Sequence, residues 1–333
     1  MTEPQRILVR ATNWLGDAII SLPALQSLRR AHPKAFIAVM GQGWLGDLYR
    51  GEAFCDEFIA YPSERGWKAI GKKRAVARRL REMGFDTAVL LQNAFEAAAV
   101  VRWAGIPRRV GYDRDGRGLL LTDAIPVEKE FAKHERFYYL DLLVKAGFIE
   151  GYDEAAPIRL TAIERPRERS GRIGVSPGAA FGSAKRWLPE RFAEAAARVA
   201  KERQSNVAIF GSESEAEVTR VVEELLRKAG IEAVNYAGKT SLREFMELCA
   251  SCDLMITNDS GAMHVAYAVG TPSVTVFGST DPIGTGPVGE TARIVREPVD
   301  CSPCKLRECP IDHRCMERIS SERVALVALD LLK

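Results

Sequence analysis

Short apolar runs alternate with amphipathic helical stretches along the chain. Residues 6–10 predict a strand, and residues 11–16 predict the loop that follows it. Residues 17–31 predict a helix, because apolar side chains recur at helical spacing on one face: Ile19, Leu22, Leu25 and Leu28. Pro23 falls in the early part of this helix, where a proline is best tolerated. Further strands are expected at residues 35–40 and 87–91.

A second series of the same kind begins after a polar stretch at residues 164–170, the candidate linker. It predicts strands at residues 171–175, 206–210, 254–257 and 273–277, and helices at residues 189–202, 213–228, 261–268 and 322–332. This alternation is typical of α/β units on parallel sheets. A chain of 333 residues is also longer than one hydrophobic core usually serves.

We therefore expect an α/β protein with two Rossmann-like, doubly wound domains that face a central cleft. The first domain is expected to cover residues 1–165 and the second residues 171–320, with a C-terminal helix in residues 321–333. Ligands of such folds bind beyond the carboxyl ends of the strands. The strand-to-helix loops are therefore where functional residues are expected.

Composition and charge narrow the functional classes. Hydrophobic residues make up 47% of the chain and charged residues 27%, which is ordinary for a soluble globular protein. The net charge of +3 gives no reason to expect nucleic acid as a partner. No signal peptide opens the chain, and no apolar run approaches the length of about 20 residues that spans a bilayer. We expect a cytoplasmic protein, in which seven cysteines do not by themselves imply disulfides.

The basic residues are concentrated between Arg65 and Arg81, a stretch that contains no acid. One interpretation is a solvated helix face. The other is a surface that meets anionic lipid headgroups or an acidic glycolipid. The candidate residues of such a surface are Lys68, Lys72, Lys73, Arg74 and Arg78.

The first candidate site motif is residues 13–17, Asn-Trp-Leu-Gly-Asp, between the first strand and the first helix. Gly16 lets the backbone turn or approach a ligand closely. Asp17 is either an acid stabilised by the helix dipole or a general base, and position alone favours the first role. The motif is not the glycine fingerprint of dinucleotide-binding proteins, so an oxidoreductase is poorly supported.

Two further motifs follow strands of the second half. Residues 176–187 form a loop rich in small residues, including Gly178, whose N–H groups suit phosphate, while Lys185 and Arg186 can neutralise its charge. We interpret Trp187 in this loop as a packing anchor. Residues 257–264 contain Asp259, a candidate acceptor of hydrogen bonds from sugar hydroxyls. Ser260 and Gly261 follow at a helix start, where they can offer N–H groups. His264, taken alone, would be interpreted as a structural residue.

Taken together, an acid-bearing loop in the first half and two anion-binding loops in the second suit one reaction type. A diphosphate donor would be held by the second domain, and a hydroxyl nucleophile would be activated from the first.

A cysteine cluster lies near the C-terminus, at Cys301, Cys304, Cys309 and Cys315, with His313 nearby. Four thiols within fifteen residues are compatible with a structural zinc or iron site, although the spacing is not that of two regular CxxC knuckles. The alternatives are reduced thiols or a redox-labile pair. In each case we expect the cluster to lie outside the chemistry.

With these motifs in view, the chain resembles glycosyltransferase family 9, the lipopolysaccharide heptosyltransferases. The most specific parts are residues 177–189 (PGAAFGSAKRWLP) and residues 257–266 (TNDSGAMHVA), with residues 13–17 (NWLGD) in agreement. The resemblance covers nearly the whole length. It implies the GT-B type of fold, a first domain that faces the acceptor, a second that binds the ADP-sugar, and a final helix that can return to the first domain.

The resemblance also implies roles for individual residues. Asp17 matches the catalytic base of the family, and Lys185 the lysine at the donor phosphates and sugar. Donor contacts are implied for Asp259, Ser260, Gly261 and His264, and a ribose contact for Glu215 through a looser match. Ala180 and Phe181 stand where some relatives carry threonine, so side-chain phosphate contacts are not implied there.

The expected function is therefore inverting transfer of heptose from ADP-L-glycero-D-manno-heptose to the inner core of lipopolysaccharide, without a catalytic metal. The form of residues 177–189 is most like that of the family members that add the second heptose, so the expected acceptor is lipid A-Kdo-heptose. Alternatives are a family 9 enzyme acting on another core sugar or on a protein, a sugar-nucleotide epimerase, and a nonenzymatic ligand-binding protein.

Overall fold

The computed structural model describes residues 3–64, 69–128, 133–164, 166 and 170–333. It divides into two compact units, Met1–Ala156 and Pro157–Lys333. The division comes before residues 164–170, where the sequence suggested a linker. Among the described residues, each unit contains its own six-stranded parallel sheet.

The strands of the first unit lie in the order β3-β2-β1-β4-β5-β6, and neighbours are parallel. They are β1 (Arg6–Arg10), β2 (Phe36–Gln42), β3 (Glu57–Tyr61), β4 (Thr87–Leu90), β5 (Arg108–Tyr112) and β6 (Asp123–Ile125). Ile7, Leu8 and Val9 are fully buried, as expected for a central strand covered on both faces. The strand order reverses between β1 and β4, which is the switch point of the sheet.

The helices of the first unit follow the strands. They are α1 (Leu15–Ile20), α2 (Leu22–Ala31), α3 (Leu45–Tyr49), α4 (Ile70–Glu82), α5 (Phe95–Trp103) and α6 (Arg136–Lys145). The single helix predicted for residues 17–31 is thus two helices that meet at Ser21. The cause is Pro23 near the start of α2, because its missing N–H cannot continue the hydrogen bonding of α1.

The second sheet has the order β12-β11-β10-β7-β8-β9, again with parallel neighbours. Its strands are β7 (Arg172–Ser176), β8 (Asn206–Ile209), β9 (Ala233–Asn235), β10 (Leu254–Asn258), β11 (Ser273–Phe277) and β12 (Ala292–Arg296). Counted from the start of each unit, this is the same strand order as in the first sheet. The switch point here lies between β7 and β10.

The helices of the second unit complete the fold. They are α7 (Pro189–Arg203), α8 (Ala216–Lys228), α9 (Leu242–Ser251), α10 (Gly261–Ala268), α11 (Pro282–Thr285), α12 (Arg314–Glu317) and α13 (Ser321–Leu331). The final helix, α13, packs against α7, β11 and β12, within the second unit. The sequence had left open a return of this helix to the first domain.

The core of the second unit forms between the sheet and its covering helices. Trp187 and Phe192 belong to this core and are in edge-to-face contact, with ring centroids 5.0 Å apart. Trp187 is 1% exposed and its Nε1 donates to the carbonyl of Ile319 at 3.2 Å. The interpretation of Trp187 as a packing anchor is confirmed. In the part of the chain that the structure describes, no helix is both long and apolar enough to traverse a bilayer.

Candidate functional site

Two loops meet at the switch point of the second sheet. Residues 177–188 connect β7 to α7, and residues 259–260 connect β10 to α10. Because β7 and β10 are hydrogen-bonded neighbours, their carboxyl ends bring the two loops to the same edge of the sheet. These are the loops in which the sequence placed the donor residues, and this edge is where doubly wound sheets bind ligands.

The side chain of Asn258, the last residue of β10, joins the two loops. Its Nδ2 donates to the carbonyl oxygens of Pro177 at 2.8 Å and Gly178 at 3.3 Å. Its Oδ1 accepts from the backbone N–H of Trp187 at 2.9 Å. Asn258 is fully buried, so these bonds are shielded from water and fix the beginning and the end of residues 177–187.

Lys185 and Asp259 form an ion pair at this edge, with Nζ and Oδ2 2.6 Å apart. Lys185 ends a single 3-10 turn, Ser183–Lys185, and Asp259 follows β10 directly. Thr280 donates from its Oγ1 to the same carboxylate oxygen at 2.5 Å. Asp259 is 3% exposed and the side chain of Lys185 14%, so the pair is largely desolvated and its geometry is restrained.

Gly178 and Glu215 lie in direct contact. A Cβ at position 178 would stand 2.1 Å from Glu215 Oε1, so a larger residue there would displace this carboxylate. The other carboxylate oxygen, Oε2, accepts from the N–H and the hydroxyl of Ser212, both at 2.8 Å, in a capping box. Glu215 therefore lies beside the donor loop. Its ribose contact stays a prediction.

Ser260, Gly261 and His264 lie on the first turn of α10. Ser260 is its N-cap and Gly261 its first residue, and both are half-buried. His264 is buried, with Nδ1 2.9 Å from the hydroxyl of Tyr267. The structure thus brings Ser260 and Gly261 to the edge that holds Lys185, whereas His264 has a partner within its own helix.

Arg186 turns back onto its own loop. Its Nε and Nη2 both donate to the carbonyl oxygen of Ala179 at 3.3 Å. This contact stabilises the loop that precedes Lys185. The expected contact of Arg186 with phosphate stays a prediction.

In the first unit, Gly16 and Asp17 lie in the first turn of α1, just beyond the carboxyl end of β1. Asp17 is half-buried. Burial first, and then the negative charge of Asp17, raise the pKa of Tyr139 well above its usual range. The Tyr139 hydroxyl therefore stays neutral beside a carboxylate that lies at the switch point between β1 and β4.

A buried cation supports the loop before Asp17. Arg10, at the end of β1, is 2% exposed and donates to the carbonyl of Ala11 at 2.7 Å and to Asn13 Oδ1 at 3.4 Å. Burial lowers its pKa to about 10, which leaves it charged at neutral pH. Two buried side-chain oxygens, Thr12 Oγ1 and Gln92 Oε1, have no hydrogen-bond partner among the described residues. Both follow strands of the switch point, β1 and β4.

The basic stretch forms α4, and Lys73 is a correction to the set expected on its exposed face. Lys73 is 7% exposed and pairs with Glu96, which also accepts from the Tyr61 hydroxyl at 2.7 Å. The reason is helical periodicity, because Lys73 shares the buried face of α4 with Ala77 and Leu80. Lys73 therefore stabilises the first unit from within.

The remaining basic candidates differ in their surroundings. Arg74 and Arg78, one turn apart, are exposed and have no ion-pair partner among the described residues. Lys72 is exposed and pairs with Glu64. Lys68 lies outside the residues that the structure describes.

Residues 301–315, here called the cysteine segment, contain four free thiols. Cys315 is buried, and burial together with the nearby thiols Cys301, Cys309 and Cys304 raises its pKa. The described His, Cys, Asp and Glu side chains contain no group of three or more arranged to hold a metal ion. A structural zinc or iron site stays a prediction, which the metal content of the purified protein would check.

Several functional residues were missed by sequence reasoning. Asn258 and Thr280 contact the candidate donor loops from segments that are distant in sequence. Arg10 was counted only as part of a strand. The available indication was position, because each polar residue ends or follows an otherwise apolar parallel strand, where polar groups face the ligand edge.

Comparison with known proteins gives consistent results. A family model described as glycosyltransferase family 9 (heptosyltransferase) matches residues 73–314. Lipopolysaccharide heptosyltransferase 2 of Escherichia coli K12 is 32% identical over 311 residues, which cover 87% of this chain and 88% of that protein.

Solved structures agree with the sequence matches. The ADP-heptose lps heptosyltransferase II of E. coli superimposes with a TM-score of 0.83 and 30% identity, covering 98% of both chains. E. coli heptosyltransferase WaaC with ADP-2-deoxy-2-fluoro heptose gives a TM-score of 0.76 at 18% identity, covering 98% of this chain and 99% of that one, which concerns the fold alone. The expected α/β fold class of GT-B type is confirmed.

The Lys185–Asp259 pair predicts a loss of stability when its cation is removed. Lys185→Ala would leave Asp259 buried without a counterion, and we expect a loss of about 3 kcal/mol in the free energy of unfolding. The double variant Lys185→Ala/Asp259→Asn should lose less than the sum of the single losses. Chemical denaturation measures all three.

Lys201→Ala is the matched control, because Lys201 is an exposed lysine of α7 in the same unit. It should unfold as the wild type does. Equal stability of Lys185→Ala and the wild type would contradict the structural role of the pair.

Proposed function

The chain belongs to glycosyltransferase family 9, and on that premise we propose that it adds the second heptose of the lipopolysaccharide inner core. The donor is ADP-L-glycero-D-manno-heptose and the acceptor is lipid A-Kdo-heptose. The identity to a heptosyltransferase 2 over 87% of the chain supports this choice of acceptor. The observation that carries the chemistry is the Lys185–Asp259 pair, held at the switch point of the second sheet.

The donor side is built from the second unit. Lys185 supplies a cation for the diphosphate, and Ser260 and Gly261 supply backbone N–H groups at the start of α10. Asp259 accepts hydrogen bonds from heptose hydroxyls while it orients Lys185. Glu215, beside Gly178, contacts the ribose. The solved structure described as an ADP-heptose lps heptosyltransferase II, which is 30% identical to this chain, supports the donor class.

The reaction is a single displacement with inversion. Asp17 accepts the proton of an acceptor hydroxyl as its oxygen attacks the anomeric carbon of the donor. A new glycosidic C–O bond forms while the bond from the anomeric carbon to the β-phosphate oxygen breaks. ADP leaves with the electron pair of that bond, and the proton resides on Asp17 until it passes to water.

The developing charge on the leaving ADP is stabilised by groups that are already in place. Lys185 is oriented by Asp259, and the loop that bears it is fixed by Asn258. Preorganised groups of this kind need little rearrangement as charge develops, and this is usually the largest catalytic contribution. We propose that these cationic and N–H groups act without a catalytic divalent metal.

The function is tested by incubating the protein with ADP-heptose and a panel of truncated core acceptors. We expect mass spectrometry to show one added heptose only on the acceptor that ends at the first heptose. Transfer should continue in excess EDTA, because the chain's own cations stabilise the leaving group.

The same assay separates the rival functions. Transfer of heptose to a different core sugar or to a protein would show that the chain has the acceptor specificity of another kind of family 9 enzyme. Conversion of the donor without any acceptor would indicate an epimerase. Donor binding with no product in either experiment would indicate a binding protein and end the proposal.

Asp17 provides a second test. Asp17→Asn removes the proton acceptor at constant size, so turnover should fall by about 10²–10⁴-fold. ADP binding, measured by calorimetry, should change little, because the donor groups lie in the second unit.

Asp47→Asn is the control for Asp17→Asn. Asp47 is also a first-turn acid of a short helix in the first unit, where it pairs with Arg50. Its substitution should leave turnover near the wild-type value. Wild-type turnover in Asp17→Asn itself would refute the assignment of the base.

We also propose that the exposed face of α4 meets anionic headgroups at the cytoplasmic surface of the inner membrane. Arg74 and Arg78 support this proposal, since both are exposed on one helical face. Each basic residue near such a surface contributes about 1 kcal/mol.

Membrane binding is tested by sedimentation with vesicles that contain anionic phosphatidylglycerol. Arg74→Gln/Arg78→Gln should lower the bound fraction severalfold at low salt, and Arg220→Gln, an exposed arginine of α8, should not. Equal binding of the wild type and both variants would show that Arg74 and Arg78 of α4 do not contact the membrane.

A further inference from the structure

The cysteine segment is attached to the loop that follows β11. The hydroxyl of Ser302 donates to the carbonyl oxygen of Gly278 at 2.6 Å. The backbone N–H of Lys305 donates to the carbonyl oxygen of Ser279 at 2.7 Å. Thr280, the next residue of this loop, donates to Asp259. The segment therefore contacts one side of the donor site through the loop that orients its carboxylate.

The cysteine segment also holds the turn that bears Lys185. The backbone N–H of Ala184 donates to the carbonyl oxygen of Arg307 at 2.9 Å, and His313 Nε2 lies 3.2 Å from the carbonyl oxygen of Ala184. Gly182 packs against the backbone of Arg307, since a Cβ at position 182 would stand 2.2 Å from the Arg307 carbonyl oxygen. The cysteine segment thus contacts the backbone of the turn that bears Lys185, one residue from a side chain of the proposed chemistry.

A second cation contacts the same aromatic ring as Lys185. The guanidinium carbon of Arg307 lies 5.2 Å from the centroid of the Phe181 ring, and Lys185 Nζ lies 4.8 Å from the same centroid. Lys185 is paired with Asp259, whereas Arg307 is exposed and has no ion-pair partner among the described residues. Together, the side chains of Lys185, Asp259 and Arg307 carry a net positive charge beside the donor loop.

We propose that Arg307 is a second diphosphate-binding residue of the donor site, and that the cysteine segment holds it beside Lys185. This inference rests on the proposed function, since it names a further contact for the same donor. A guanidinium presents several N–H donors in a planar arrangement that suits two phosphate oxygens, whereas an ammonium acts as a point charge. The two residues thus complement one another on a diphosphate.

Calorimetric titration with ADP tests the inference. Arg307→Gln should raise the Kd for ADP about tenfold or more, because a hydrogen-bonded charge contact is lost. Arg307→Lys should recover part of the affinity. In steady-state assays, KM for the donor should rise more than kcat falls, since the contact exists before and during the displacement.

Arg314→Gln is the matched control, because Arg314 belongs to the same segment but pairs with Asp312. It should bind ADP like the wild type. Gly182→Ala is a second probe, which should weaken ADP binding because its Cβ would meet the Arg307 carbonyl.

The outcomes distinguish this inference from the function beneath it. If the wild type binds ADP and Arg307→Gln binds it equally well, Arg307 is not a donor residue and the proposed function stands. If the wild type does not bind ADP, both are refuted. Weakened binding in Arg307→Gln with unchanged binding in Arg314→Gln establishes the contact.

Discussion

The proposed donor site of the second unit depends on the amide of Asn258. This one buried side chain bonds to the backbone at both ends of the loop after β7, and it belongs to the strand that leads into Asp259. The two loops at the switch point therefore have a fixed relative position before any ligand arrives. An aspartate at this position would place an acceptor oxygen where Nδ2 now donates to two carbonyl oxygens. An alanine would leave three backbone groups unsatisfied in the interior.

The fixed loops explain how a buried charge can be retained for function. Lys185 and Asp259 would gain little as an isolated pair, because both lose hydration. Asp259 receives a further bond from Thr280, and Lys185 lies over the face of Phe181. The pair is thereby oriented at the edge where ligands of such sheets bind. Orientation before binding, more than strength of attraction, is what a leaving diphosphate requires.

Much of the fold was predictable from the sequence, because strands buried on both faces give near-continuous apolar runs and the helices between them are amphipathic. The strands β10 and β11 and the helix α10 were predicted within a residue of their bounds. The helix at residues 17–31 was predicted as continuous, since periodicity does not record a hydrogen bond that Pro23 cannot make. Short strands such as β6 and β9 were not predicted, because three residues carry too little pattern.

The candidate donor motifs could be proposed from the sequence because they are local, with glycine, lysine and aspartate in loops that follow apolar strands. What the sequence did not provide were contacts between distant segments. Asn258 bonds to residues about 80 positions away, and Arg307 reaches the turn before Lys185 from the far end of the unit. Lys73 was misplaced for a related reason, because composition counts a charge without recording which side of α4 it occupies.

Both units have the same strand order, and in each the candidate residues of the site follow strands at the reversal, β1 in the first unit and β7 and β10 in the second. Each half also has a sheet and a core of its own. Substitutions in the loops of one half can therefore accumulate without repacking the interior of the other. Divergent evolution within such a scaffold can change which alcohol is glycosylated while the nucleotide carrier stays the same.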